Sequence, residues 1–293
     1  MIATPIHRAS LGELGLLAVT ASLWAGAFVG MKVTVPVLGA TGTAFARASV
    51  GFLVLLPFAL RAGLDLPRGA SQWMMTAFVA QFSVAIPFTL ISFGEKTIDA
   101  GEAALLMGTG PFFAMVGAHF AHGDDRLSRW RVVGVLLGFA GVATLVGAAQ
   151  TAKVASDIGV AHAAVVGASL CYVVSGLLVR NINVAPLSLA TLTLAIATLT
   201  LAPFGASVDT GEIGARIIAA IAFLGVFPTG IAYILRFDLI RRIGYATFAL
   251  GVNLVPVLGV AFGFAFLGES PDGRTLIALL LVVAGLFVAR IGR

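Results

Sequence analysis

Two matching stretches, Gly108-Thr109-Gly110-Pro111 and Asn253-Leu254-Val255-Pro256, each place a proline inside an apolar run, and the two prolines lie 145 residues apart. The runs around them end on Gly123 and Gly268, again 145 residues apart. Proline lacks a backbone N–H, and its ring clashes with the carbonyl four residues earlier, so each helix should bend or break there. Helices interrupted at matching places in two halves indicate a substrate site near the middle of a bilayer.

The composition confines the chain to a membrane. Hydrophobic residues make up 59% of the 293 residues and charged residues 11%, whereas about 25% of the residues in an ordinary soluble domain are charged. The net charge of +5 does not point to nucleic acid, because the basic residues form no patch. Cys171 is the only cysteine, which excludes an internal disulfide and a multi-cysteine metal site. We expect no cofactor, no metal and no nucleic-acid partner.

Ten apolar runs are long enough to cross a bilayer, which takes about 20 residues. They are residues 12–31, 41–60, 72–93, 102–120, 130–149, 158–179, 186–206, 214–236, 246–267 and 274–291. We therefore predict an all-α membrane protein of ten transmembrane helices, with residues 1–149 as the first five-helix repeat and 150–293 as the second. Because each half has an odd number of spans, the second repeat enters the membrane inverted, and the two repeats form one integrated transport domain.

The basic residues predict that both termini are cytoplasmic. With the N-terminus inside, the cytoplasmic side receives Arg8, Arg61, Arg68, Arg126, Arg129, Arg131, Arg180, Arg236, Arg241, Arg242, Arg290 and Arg293. The outside receives fewer basic residues, namely Lys32, Lys96, Lys153, Arg216 and Arg274. The acidic residues show the opposite distribution, with more of them on the outside, and Glu95 is among these.

The chain resembles the drug/metabolite transporter superfamily, and within it the ten-helix EamA type. The resemblance covers nearly the whole length and rests on Ser22-Leu23-Trp24-Ala25-Gly26, Phe45-Ala46-Arg47, and the two proline stretches with Gly123 and Gly268-Glu269. The chain departs from the pattern at Gly123, which no Glu follows, and at Cys171-Tyr172, where a second Trp is frequent. The chain is most similar to the aromatic amino acid exporters. This resemblance implies a multi-pass transporter of the bacterial inner (cytoplasmic) membrane that exports amino acids and some organic cations.

Seven side chains are candidates for substrate contact, because they are polar or aromatic at mid-membrane depth or lie beside a predicted break. They are Trp24, Gln81, Met107, Thr109, Tyr172, Tyr233 and Asn253. The predicted hinges are Pro87, Pro111, Pro228 and Pro256. Each candidate has a structural alternative, since polar groups also join membrane helices and prolines also make simple kinks.

Charges inside the runs bear on the mechanism. Arg47 lies near the outer end of the second run, and we expect it to reach outward to water or to pair with Glu95, Asp99 or Glu102. A substrate carboxylate is the alternative partner. We place no Asp, Glu or further Lys or Arg deep within a run. This absence disfavours phosphorylated sugars as substrates and favours gradient-driven passage over tightly coupled proton exchange.

The sequence leaves several functions open. The leading hypothesis is a secondary transporter with a small-molecule substrate that works by alternating access, and export of drugs or organic cations is an alternative. An intramembrane enzyme would need a nucleophile with a base, or paired acids, and we find neither. A passive channel or scaffold would show no saturable flux. Gly134 and Gly138 have GxxxG spacing, which permits close helix contact within a monomer or across a homodimer.

Overall fold

The computed structural model describes residues 9–121, 128–146, 152–205 and 213–291, and this part of the chain is helical without a strand. The helices are α1 (Leu11–Arg61), α2 (Ala70–Ala80), α3 (Ile86–Gly94), α4 (Ala100–Met107), α5 (Gly110–Ala121), α6 (Arg129–Val146), α7 (Ala152–Leu178), α8 (Pro186–Gly205), α9 (Ala215–Leu224), α10 (Ala232–Ile243), α11 (Tyr245–Gly251), α12 (Leu254–Phe262) and α13 (Gly273–Ile291). The predicted all-helical class is confirmed. The predicted boundary between residues 149 and 150 lies outside the described residues.

Helix α1 consists of two limbs. A straight helix of its 51 residues would be about 75 Å long, against about 30 Å for the hydrocarbon core of a bilayer. Gly39 interrupts it with a φ of 67°, which residues with a side chain rarely adopt. The Nη1 atom of Arg47 lies 3.1 Å from the sulfur of Met31, although these residues would be about 24 Å apart on a straight helix. The second limb therefore folds back along the first.

Several of the helices can cross a membrane. By length and apolar composition, six qualify among the described residues: Leu11–Arg61, Ala70–Gly94, Ser156–Asn181, Pro186–Gly205, Ala215–Ile243 and Thr247–Leu267. Shorter apolar helices cover Ala100–Val116 and Gly273–Ala289. The count of ten spans stays a prediction.

Glycines bring α6 and α13 into close contact. A Cβ added to Gly134 would meet the carbonyl oxygen of Gly285 and the side chain of Ala289, and one added to Gly138 would meet the ring of Phe112 in α5. Small residues allow helix backbones to approach this closely. The predicted GxxxG pair therefore packs within the chain.

Two clusters of buried apolar side chains form the interior. One includes Phe88 and Phe237, and the other includes Met31 and residues of α4 and α12. Trp24 and Tyr172 pack against both clusters. The meeting place of the two clusters is where the candidate site lies.

Candidate substrate site

The two helices that carry the matched prolines are broken. Residues 108–109 separate α4 from α5, and residues 252–253 separate α11 from α12. Pro111 and Pro256 occupy the first turns of α5 and α12, where a backbone N–H has no partner within the helix and its absence costs little. A Cβ added to Gly108 would lie 2.8 Å from Cγ of Pro256. The two breaks therefore touch each other.

The other two predicted hinges lie at π-helical turns. The turn Gln81–Ala85 leads into α3, whose second residue is Pro87. The turn Gly225–Ile231 contains Pro228. Such turns are frequent at functional sites in helices. The carbonyl oxygen of Pro228 accepts a hydrogen bond from Nε1 of Trp24 at 3.1 Å, so this turn orients an aromatic side chain.

A cavity lies against both helix breaks. It encloses about 780 Å³, counting its open mouth, and its wall is mostly apolar and aromatic. Six of the residues that the sequence indicates lie on this wall: Trp24, Met107, Pro111, Tyr172, Asn253 and Pro256. A concave, mostly apolar space with a few polar groups is typical of a small-molecule site.

Three aromatic rings from different helices form one side of the cavity. The ring of Trp24 stacks on that of Tyr172, with 6.5 Å between centroids and 24° between planes. The ring of Phe248 meets Trp24 edge-on at 5.8 Å and 81°. These arrangements are favourable for aromatic pairs, and they leave an apolar surface for an aromatic or aliphatic ligand.

Three predicted contact residues lie away from the wall. The side-chain amide of Gln81 donates to Oγ1 of Thr200 at 3.0 Å. The hydroxyl of Thr109 donates to the carbonyl of Leu106 at 2.7 Å and lies 3.2 Å from Oγ of Ser169. The hydroxyl of Tyr233 donates to the carbonyl of Ser83. Each polar group has a partner within the protein, as interhelical and backbone contacts provide.

Arg236 is the residue that sequence reasoning missed. The predicted end of the eighth run at Arg236 is wrong, because α10 continues to Ile243, and the side chain is buried on the cavity wall. The apolar residues Phe237, Leu239 and Ile240 that follow it are the signal that could have shown the helix continuing inside the protein.

Arg47 also lies on the cavity wall. Its Nε donates to Oγ1 of Thr229 at 3.1 Å, and its guanidinium lies over the ring of Phe88, 3.7 Å from the centroid. The side chain is buried, so the expectation that it reaches outward to water is wrong. None of its contacts within the described residues is an ion pair with Glu95, Asp99 or Glu102. Arg47 and Arg236 are thus both buried in the protein, although the sequence places each near the end of an apolar run.

One end of the bundle, which we call the acidic end, collects carboxylates. It comprises Glu95, Asp99, Glu102, Glu269 and Asp272. The carboxylate of Glu269 accepts hydrogen bonds from the first two backbone N–H groups of α4, at 2.8 and 3.0 Å. Nε2 of His162 in α7 lies 2.6 Å from Oε1 of Glu102. These contacts tie α4 to the segment after α12 and to α7.

Glu95 is buried at the acidic end, one residue past the apolar span Ala70–Gly94. Its two carboxylate oxygens have no hydrogen-bond partner among the described residues. Burial raises its pKa well above the usual value of 4.5, and nearby Lys32 and Arg47 oppose that shift. The carboxyl group of Glu95, which the sequence predicts on the outer side of the membrane, is therefore buried inside the protein.

A family model described as the EamA-like transporter family matches the chain twice, over residues 11–147 and 158–291. The chain belongs to this family. Its members and the relatives of this chain are transporters, so the expectation of a transporter, and not an enzyme, is confirmed. A small-molecule substrate and embedding in a membrane follow from the family.

Two relatives and one solved structure are distant in sequence but match nearly the whole chain. The "Probable terminal-alkyne amino-acid exporter" of Streptantibioticus cattleyicolor is 26% identical over 275 residues, covering 93% of this chain and 91% of the relative. The "Uncharacterized transporter YdfC" of Bacillus subtilis is 26% identical over 269 residues, covering 90% and 86%. A solved structure described as "Crystal structure of protein" has a TM-score of 0.69 and 21% identity, covering 96% of this chain and 98% of that one. The last likeness shows the fold alone.

Proposed function

We propose that this member of the EamA-like family is a secondary transporter that exports amino acids with aromatic or other apolar side chains. The observation that carries the proposal is the aromatic cavity at the contact between two broken helices, one from each half of the chain. Discontinuous helices that meet at mid-membrane form the substrate site in several unrelated transporters. The amino-acid exporter among the relatives supports this substrate class.

Asn253 supplies a polar group at the second break. It lies at the start of α12, and its side chain makes no capping hydrogen bond. It faces the cavity. An amide in an apolar site needs a partner, since leaving it unpaired costs about 1–3 kcal/mol. A substrate amino or carboxyl group meets that need.

Helices α4 and α12 pack closely against each other at the acidic end. A Cβ added to Gly259 in α12 would meet the side chain of Ala104 in α4, and one added to Gly101 would lie 3.1 Å from Cα of Val260. Glu269 fastens the start of α4 across the same interface. In the proposed mechanism, α4 and α12 separate at this end while α5 and α11 close the other, and each broken helix bends at its break.

The proposal includes a topology. Ten spans form two inverted repeats, residues 1–149 and 150–293, in a bacterial cytoplasmic membrane with both termini inside. The acidic end then faces outward. Passage by alternating access saturates with substrate, whereas passage through an open channel does not. The unit that transports is a monomer or a homodimer.

Flux of labelled amino acids into proteoliposomes tests the function. We expect saturable flux that favours aromatic and apolar amino acids over charged ones, with Asn253→Ala reducing it. Asn183→Ala is the matched control, because Asn183 is exposed in the loop before α8. Flux that rises linearly with concentration would indicate a channel, and absence of flux for every amino acid would exclude this substrate class.

A further inference from the structure

The cavity carries two positive charges. Arg47 and Arg236 are 3% and 2% exposed, and they are the two charged residues among those described on its wall. They come from different halves of the chain. Neither guanidinium has a carboxylate oxygen within 4.0 Å in the described residues. Buried cations without a paired anion are costly, and in membrane proteins they mark sites of function.

Arg236 is held in place but has a free donor. Nη2 donates to the carbonyl oxygen of Tyr172 at 3.1 Å and to Oγ of Ser175 at 3.2 Å. Nε is buried and finds no acceptor in the described part of the chain. The guanidinium lies 5.1 Å from the ring centroid of Tyr172 and 5.9 Å from those of Trp24 and Phe248. The charge is therefore fixed beside the aromatic surface where an apolar ligand would lie.

Arg47 lies at a different depth of the same cavity than Arg236. It contacts the sulfur of Met31, whereas Arg236 lies near Trp24. Met31 and Trp24 are seven residues apart on the first limb of α1, which corresponds to about 10 Å along the helix. The two guanidiniums therefore lie at successive depths of the cavity, with Arg47 nearer the acidic end.

We propose that the cavity selects substrates by their carboxylate group. Arg236 is the main residue that binds the carboxylate, and Arg47 provides a second binding position for it at another depth of the cavity. This inference rests on the proposed function and narrows its substrate class to organic anions and amino acids that have an apolar body. Guanidinium donors match the geometry of a carboxylate and form strong charge-assisted hydrogen bonds. An anion also offsets the cost of two buried cations.

The same charges act against cationic substrates. An organic amine without a carboxylate would enter a space with two positive charges and no described acidic side chain on its wall. Aromatic faces attract cations, but the guanidinium of Arg236 already lies near three of those rings. The structure therefore disfavours organic cations, which the sequence left open as substrates.

A ligand series that varies only the charged groups tests this selection on the unmodified protein. The probes are L-phenylalanine, 3-phenylpropanoate, L-phenylalaninamide and phenethylamine, which share the aromatic ring. Binding is measured by isothermal titration calorimetry with purified protein, and transport is measured separately in proteoliposomes. We expect both carboxylates to bind at least tenfold more tightly than the amide and the amine.

Variants then assign the anchor. Arg236→Gln should weaken 3-phenylpropanoate about 10- to 150-fold, the range for losing a hydrogen bond to a charged group. Arg236→Lys keeps the positive charge but lacks the planar guanidinium, so its affinity for 3-phenylpropanoate should lie between those of the parent and of Arg236→Gln. Arg47→Gln should also weaken binding, by a smaller factor. Arg242→Gln is the control, because Arg242 is exposed and pairs with Asp238 away from the cavity.

The outcomes separate this inference from the proposed function. Equal or tighter binding of phenethylamine would overturn carboxylate selection, even if amino acids are transported. Binding of 3-phenylpropanoate that requires Arg236, together with no amino-acid flux, would uphold the inference and refute the proposed function. Unchanged affinity in a folded Arg236→Gln or Arg47→Gln variant would remove that residue from the site.

Discussion

Replacing Glu269 by Gln should loosen the contact between α4 and α12 at the acidic end. The carboxylate accepts two backbone hydrogen bonds at the start of α4, from Ala100 at 2.8 Å and from Gly101 at 3.0 Å. These N–H groups have no partner within the helix, and a negative charge there is favourable. Gln keeps one oxygen acceptor, but it loses the charge and turns an NH₂ group toward the other donor.

The expected size of the effect follows from those two bonds. A hydrogen bond to a charged group contributes about 1.5–3 kcal/mol and a neutral one about 1 kcal/mol. Losing one charged bond and weakening the other therefore costs about 2 kcal/mol, allowing for the partial exposure of the site. At 1.4 kcal/mol for each factor of ten, the equilibrium shifts about 30-fold toward separation of α4 from α12.

Cysteine labelling measures that separation. Cys171 is replaced by Ser, and Val260→Cys supplies a thiol at a position in α12 that is buried against Gly101. When opening is a rapid pre-equilibrium, the rate of alkylation by a maleimide follows the open population. We expect Glu269→Gln to raise this rate about 30-fold, on the same energetic argument.

Asp272→Asn is the matched control for this measurement. Asp272 lies three residues further along and caps the start of α13 through Thr275, with no contact to α4 among the described hydrogen bonds. Its removal should leave the labelling rate unchanged. Equal rates in the parent and in Glu269→Gln would refute the view that this carboxylate holds the acidic end closed.

Three further predictions concern packing and pH. Gly138→Ala should lower the melting temperature in detergent by an amount equivalent to about 1–3 kcal/mol, because the new methyl group meets an aromatic ring; Gly159→Ala, with open space around it, should not. Tyr233→Phe should lower the free energy of unfolding by about 1–3 kcal/mol, because the buried carbonyl of Ser83 loses its partner. The KM for amino-acid transport should not change. A changed KM with unchanged stability would contradict the position of Tyr233 off the cavity wall. Because burial raises the pKa of Glu95 above 4.5, the folded state binds the proton more tightly, so stability should fall as pH rises from 4.5 to the raised pKa; thermal unfolding across this window should show that slope in the parent and lose it in Glu95→Gln.

Much of the architecture follows from patterns that a linear sequence displays directly. Apolar runs of membrane length predict helices, and a proline inside a run predicts a break. Pro111 and Pro256 therefore located the two breaks, and Trp24 and Tyr172 were identified by their depth as aromatic side chains with a donor. All four lie on the cavity wall.

Depth along a run does not fix where a side chain lies around its helix, and this is why some predicted residues lie off the cavity wall. Gln81 and Thr109 have suitable depth, but the direction in which a side chain points around its helix depends on neighbours distant in sequence. In the sequence, Arg236 stands at the predicted end of the eighth run, where a charge is expected. The helix in fact continues for two turns inside the protein. Burial of Glu95 depends likewise on helices from elsewhere in the chain.

The contact between Gly108 and Pro256 has a consequence for leakage across the membrane. Because the two breaks touch, bending of one broken helix in the proposed mechanism should displace its counterpart. Opening at one face would thereby be linked mechanically to movement at the opposite face. A larger residue at position 108 would force the junctions apart and permit both faces to open together. Such a protein would conduct small ions, and the bilayer would lose its electrochemical gradient.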